Sequence, residues 1–332
     1  MERNYNIDLL KALSLFGVVY VHSASLVKTE YAIPGYYFRF CVPVFIICSF
    51  FLSEKGMLLS EEKKLPFIKK RIIRLFIPYI VWSIMYFLMY YKGGYGIAPI
   101  ISKHFAGYGW MGQYFFIIMF QLVVIFPFIR KYCNYKIVII LFFATIILYI
   151  ACFRIADNIL ITYIIQRLFI SWLFYIMLGI LTARYVIKPV SGWQKNVLLI
   201  ATVVFIPLVI IAEAVELQNL RINAEAYLRP FVLIVSCILF YLLLKVNITN
   251  ELIKKTISNI SYYSMGIFCL NTLVINSLGD LLYSLKINLE VPSAVPKFLA
   301  FIFPLISVSI VLLICIIISI ALKKIGLKRL VQ

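Results

Sequence analysis

IDLLKALSLFGVVYVH, residues 7–22, decides the fold. It is an apolar run that nevertheless carries Asp8, Lys11 and His22, the last being one of only two histidines in the chain. On an α-helix, at about 100° and 1.5 Å per residue, the steps from Lys11 to His22 return to within about 20° of the start and climb about 16 Å. The two side chains therefore share a face at different depths. Asp8, Ser14 and Ser25 fall within about 60° of the same line, with Leu15 and Val18 interrupting it, while Tyr20 lies opposite. Against lipid such a stripe is costly, since an ionisable group near the bilayer centre costs about 2.5 to 3.5 kcal/mol even on the lenient scale. It must face other helices or a wet cavity. Two roles stay open for His22: a hydrogen bond to a neighbouring carbonyl that aligns the bundle, or chemistry, because intramembrane ionisable residues mark functional sites.

Outward from this stretch the chain stays apolar. Hydrophobic residues make up 64% and charged residues 14%, against about 45 to 50% and about 25% in soluble domains, which excludes a water-soluble fold. At about 20 residues per span, the 332 residues hold around ten helices joined by short loops. The expectation is one all-α, polytopic transmembrane bundle over residues 1–332, with no separate soluble domain. Apolar runs lie near 9–28, 38–53, 72–91, 112–129, 136–153, 162–183, 196–213, 229–246, 257–278 and 298–322. With the N-terminus in the cytoplasm, most of the 32 basic residues gather in inside loops, which fits ten spans and cytoplasmic termini. The same rule accounts for the net charge of +19 without nucleic acid, and no Gly-rich phosphate loop or aromatic RNA platform accompanies it. The seven cysteines are scattered singly without a C-x-x-C pair and read as small core residues, giving neither a disulfide frame nor a metal site. Asp8 in the leader and the spans that follow argue for a retained first helix over a cleaved signal peptide.

Four features between and within the spans carry chemistry. Glu54 to Arg74 is the most charged stretch, and KKLPFIKKRIIRLFIPY (63–79) reads as an amphipathic cytoplasmic helix that turns into the third span. Its cations either orient the protein and anchor anionic lipid, or hold the phosphates of a nucleotide-bearing donor. The loop near 92–111 is rich in glycine, holds a water-facing His104, and leads into Trp110, Gln113 and Tyr114. These three are either interfacial-belt residues or a platform for a sugar, which an aromatic face with amide groups suits. Gln166 and Arg167 in the sixth span, and Asn271 in the ninth, each need a polar partner. The segment 213–229 mixes glutamates and arginines and reads as a solvated face.

Five stretches in register resemble the integral-membrane acyltransferase 3 family, whose bacterial members O-acylate surface polysaccharides and lipid-linked sugars. They are IDLLKALSLFGVVYVH (7–22), RFCVPVFIICSFFLSEKG (39–56), KKRIIRLFIPYIVWSIMYF (69–87), GWMGQYFFIIMFQLVVIFPFIRK (109–131) and ISYYSMGIFCLNTLVIN (260–276). By this resemblance His22 occupies the family histidine, Lys11 the place of its usual arginine, Arg39 the second-helix arginine and Trp110 the fourth-span tryptophan. Three positions depart from the pattern. Lys11 keeps the charge and loses the planar fork that grips phosphate or carboxylate bidentately. Phe50 follows Ser49 where glycine is usual, and Asn271 stands where many members have histidine.

The resemblance implies an O-acyltransferase of the bacterial cytoplasmic membrane that moves an acyl group, acetyl in the first instance, from cytosolic acyl-CoA to a hydroxyl of a surface or lipid-linked glycan. Lipid bilayer, acyl-CoA and glycan are then the partners, with no bound cofactor. His22 takes the hydroxyl proton or itself accepts the acyl group, and Arg39 or Asn271 polarises the thioester carbonyl. Lys11, Asp8, Arg71 and Arg74 lie on the donor side, with Trp110, Gln113, Tyr114, Arg167 and Asn271 on the acceptor side. The rival is a glycan transporter or flippase that uses the same polar core as a pathway, where buried charge is equally expected.

Overall fold

The computed structural model describes residues 3–23, 26–27, 38–60, 63–90, 97–154, 164–185, 227–287 and 302–332. Among them every regular element is helical, as expected. The helices are α1 (Tyr5–Ser23), α2 (Cys41–Ser60), α3 (Lys64–Tyr90), α4 (Ile97–Phe105), α5 (Tyr114–Ile129), α6 (Tyr135–Arg154), α7 (Leu173–Arg184), α8 (Pro230–Leu243), α9 (Glu251–Tyr262), α10 (Ser264–Ser284) and α11 (Ile302–Lys324). Among the described residues, six stretches are long and apolar enough to cross a membrane: α2, α3, α5 with its 3-10 extension to Tyr132, α6, α10 and α11. Phe169–Arg184 and Pro230–Leu243 are apolar but shorter.

The expected spans are corrected in two places. The ninth, expected over 257–278, is two elements, because the backbone at Tyr263 (φ −93°, ψ 19°) leaves the helical path. The part before it, α9, is capped at Asn250, whose side chain accepts from the backbone N–H groups of Leu252 and Ile253. Its Glu251, Lys254 and Lys255 suit it to the membrane surface. The sixth run is also broken: Gln166 and Arg167 precede a 3-10 turn at Phe169–Trp172, and the regular helix starts only at Leu173. The cationic segment does run into the third span as expected, as one continuous helix, α3, with Pro78 inside it. The seventh run, 196–213, lies outside the described residues.

α1 is the axis of the bundle. It packs against α2, α8, α9, α10 and α11, and most of its residues from Ile7 to Ser23 are buried. Its start is tied to α9 through Asp8, which pairs with Arg3 at 2.6 Å and accepts hydrogen bonds from Ser258 (3.3 Å) and Ser261 (2.6 Å). α2 sits against α7 at a distance that only glycine permits: a Cβ on Gly179 would stand 2.6 Å from the carbonyl oxygen of Ile47. Small residues at such crossings let helix backbones approach where lipid supplies no hydrophobic drive.

One end of the bundle is locked by Glu54, which is fully buried. Its carboxylate accepts from Nε and Nη2 of Arg130 at 2.7 and 2.9 Å and from Nε of Arg184 at 2.8 Å. Arg184 also donates to the carbonyls of Arg130 (2.6 Å) and Cys133 (3.1 Å). One carboxylate thereby joins α2, the turn after α5 and α7. Removing one member of a buried ionic cluster leaves uncompensated charge, at a cost of about 3 to 5 kcal/mol. Glu54→Ala is therefore expected to lower the thermal midpoint of the detergent-solubilised protein by several degrees, while Lys324→Ala, on the exposed end of α11, leaves it unchanged.

Candidate active site

Two cavities meet α1 at different heights. The first, of about 380 Å³, is lined by Lys11, by Phe45, Ser49 and Ser53 of α2, by Arg71 and Arg74 of α3, and by Phe115, Met119 and Phe268. The second, of about 370 Å³, is lined by Val18, Val21 and His22 of α1, by Arg39 and Val42, by Met111, Gly112 and Tyr114, and by Tyr227 and Phe268. Lys11 and His22 thus look to the same side of α1 and into different chambers, as their angular spacing requires. Tyr20, expected on the far side of the helix, is buried and its ring lies 4.5 Å from that of Phe38. Ser14 is buried on α1 as well, while Ser25 lies outside the described residues.

The lysine cavity opens outward through Arg74 and Gln332, which also line a groove of about 650 Å³ holding Lys70, Lys328 and Arg329. Lys328, Arg329 and Gln332 come from the segment after α11. That segment is docked by its backbone: Trp82 Nε1 donates to the Leu330 carbonyl at 3.2 Å and the Gly266 N–H to the Val331 carbonyl at 3.3 Å. Leu330 and Val331 are buried, which turns the neighbouring cations toward the groove. In sequence these cations look only like a topological signal.

In the histidine cavity the Tyr114 and Tyr227 hydroxyls are 2.6 Å apart. The Arg39 guanidinium carbon lies 5.9 Å from the Tyr227 ring centre, and that of Arg167 lies 5.8 Å from the Tyr114 ring and 3.9 Å from the Tyr108 ring. Two guanidinium groups therefore flank a hydrogen-bonded tyrosine pair. Tyr227 is held by Tyr175, whose hydroxyl donates to its carbonyl at 2.7 Å, and by the Trp172 ring at 5.3 Å. Sequence reasoning missed Tyr227, a lone tyrosine before a span with no periodic pattern around it.

The remaining expected site residues sit elsewhere. Asp8 belongs to the α1–α9 tie. Trp110 is buried, stacks on Tyr86 with centroids 5.0 Å apart and planes at 6°, and lines neither cavity. Asn271 spends its amide on the carbonyls of Ile267 (3.2 Å) and Phe268 (2.6 Å) in its own helix. Gln113 is fully buried, accepts from the Gly109 N–H at 2.7 Å and donates to the Ser83 hydroxyl at 2.7 Å. His104, expected to face water, turns inward instead: its Nδ1 lies 3.4 Å from Gln113 Nε2, in space that Gly109 leaves by having no Cβ. Burial there holds its imidazole below the usual histidine range. Among the described residues no cluster of histidine, cysteine and acidic side chains could hold a metal ion.

One helical bundle thus holds a cavity lined by Lys11, Arg71 and Arg74 and a second lined by His22 and Arg39. The model of the acyltransferase 3 family, described as an acyltransferase domain, matches residues 4–322, and the chain belongs to that family. It is a multi-pass membrane acyltransferase. No curated protein and no solved structure matches it.

Gln113 separates a structural from a ligand-binding role by experiment. Gln113→Ala leaves the Gly109 N–H and the Ser83 hydroxyl short of a buried partner, at about 1 to 3 kcal/mol each. The thermal midpoint is expected to fall, with no change in KM for any acceptor in the protein that remains folded.

Proposed function

We propose that this protein transfers an acyl group, acetyl in the first instance, from cytosolic acyl-CoA to a hydroxyl of a cell-surface or lipid-linked glycan at the bacterial cytoplasmic membrane. The observation that carries this reading is the shared edge of α1: Lys11 and His22 line two cavities that meet at Phe268. The lysine cavity suits a donor that is anionic at one end and slender at the other. Lys70, Arg74, Lys328 and Arg329 around the groove match nucleotide phosphates, which charge-assisted hydrogen bonds hold well. Lys11 and Arg71 with Ser49 and Ser53 match the amides and hydroxyl of a pantetheine arm.

The histidine cavity suits the acceptor. His22 takes the proton of the glycan hydroxyl as its oxygen attacks the thioester carbonyl carbon. A C–O bond forms, the C–S bond breaks, and the departing thiolate collects that proton from the imidazole. Arg39 supplies positive charge where the carbonyl oxygen becomes an oxyanion. Asn271 drops out of that role because its amide is already engaged. Tyr114 and Tyr227 offer hydroxyls and aromatic faces to a sugar, and Arg167, which does not line the cavity, lies beside the Tyr114 ring. Against the rival glycan transporter, Phe268, which lines both cavities, packs against the rings of Trp110, Phe115 and Phe116, which favours a closed division over an open passage.

His22→Ala is expected to abolish acyl transfer while the protein remains folded in the membrane, read as loss of the acyl mass from the glycan by mass spectrometry. Undiminished acylation in that variant overturns the catalytic role. Arg74→Ala and Lys328→Ala are expected to raise KM for acyl-CoA about tenfold with kcat little changed, the signature of a contact made equally in ground and transition states. Thioester consumption by purified protein in nanodiscs, across a series of acyl-CoA concentrations, measures it.

A further inference from the structure

Phe268 is the one described residue that lines both the lysine and the histidine cavity. Around it, near neighbours in sequence face opposite chambers. On α5 Phe115 lines the lysine cavity while Tyr114 lines the other, and on α2 Phe45 and Val42 divide in the same way. Three residues of helix rise only about 4.5 Å, so residues less than a turn apart on one helix serve different chambers.

The ring is closely held. Its centre lies 5.2 Å from Phe115, 6.1 Å from Phe116 and 6.3 Å from Trp110. Gly112 has φ +93°, and a Cβ there would stand 3.1 Å from the tip of the ring. The backbone beneath is fixed as well: Asn271 bonds the Phe268 carbonyl, and the Tyr86 hydroxyl donates to the Cys269 carbonyl at 2.7 Å and accepts from the Leu273 N–H at 3.1 Å. This gives Asn271 and Tyr86 a place in the site without contact to a substrate.

We infer that Phe268 is the septum between donor and acceptor chambers and the residue that sets the size of acyl group transferred. This rests on the acyl-transfer reading above. A thioester entering from the lysine side presents its acyl carbon at this ring, and the hydroxyl that attacks it arrives from the His22 side. A two-carbon group fits beside a ring held on three sides. A longer chain has to displace it.

The test uses the full-length protein in nanodiscs, supplied with acetyl-CoA or octanoyl-CoA and the glycan fraction. Phe268→Ala is expected to raise the octanoyl to acetyl ratio of kcat/KM at least tenfold, since a single methylene in a hydrophobic pocket already discriminates by about tenfold or more. Phe268→Leu, the milder change, is expected to shift the ratio in the same direction by less. An unchanged ratio in folded, active variants overturns the septum and leaves the acyl-transfer reading standing. A second measurement does not need turnover. In inverted membrane vesicles a charged thiol reagent is applied to the Val21→Cys variant, whose new thiol faces the histidine cavity, with and without Phe268→Ala. Labelling at position 21, located by mass spectrometry, is expected to rise at least fivefold when the ring is removed. Equal labelling overturns the septum, whereas increased labelling with no turnover of any thioester supports the septum and sinks the acyl-transfer reading.

Discussion

Hydrocarbon will not accommodate a lysine and a histidine on the same edge of a helix. That constraint orders the rest of the molecule. α1 is placed inside, against five other helices, and the charged edge is given two chambers of its own. The lipid-facing positions then fall to the apolar faces of the surrounding helices. Ile84 and Leu88 of α3, Ile140 and Ile147 of α6, and Leu313 and Ile317 of α11 are all exposed, a pattern that in water would promote aggregation and against lipid is the expected surface. Glu54 obeys the same rule by another route: it is buried without a chamber, so two arginines close around it.

What the sequence made legible follows from how far each signal is local. The relation of Lys11 to His22 is set by helix geometry alone, and the same holds for Arg71 and Arg74, one turn apart on α3 and facing one cavity. Apolar run length located most helices. It misplaced the ninth because length cannot report a single residue, Tyr263, at which a surface helix turns into a span. Tyr227, Phe268, Lys328 and Arg329 were illegible as site residues, since each reaches the site by tertiary placement and none carries a distinctive neighbourhood. Gln113 and Trp110 pose the opposite difficulty. An amide and an indole at the edge of a span look like ligand groups, but the amide is consumed by Gly109 and Ser83 and the indole by stacking on Tyr86.

On the proposed reading, a charged donor and a polar acceptor that approach from opposite sides of a bilayer set two demands that conflict. Both must reach one carbon atom, yet an open aqueous passage between the chambers would let ions and water cross and would expose the thioester to hydrolysis. Solid packing several side chains deep would block the leak and the reaction together. A division about one aromatic ring thick reconciles the two, because it excludes bulk water while leaving a thioester and a hydroxyl within bonding reach once the ring yields. The surroundings of Phe268 fit that requirement better than an open channel does: aromatic rings on several sides, a glycine that leaves space for its tip, and a backbone pinned by Asn271 and Tyr86. A flexible aliphatic side chain in the same place would fill the gap in many conformations. A planar ring with two torsions fills it in few, which suits the septum proposed for Phe268.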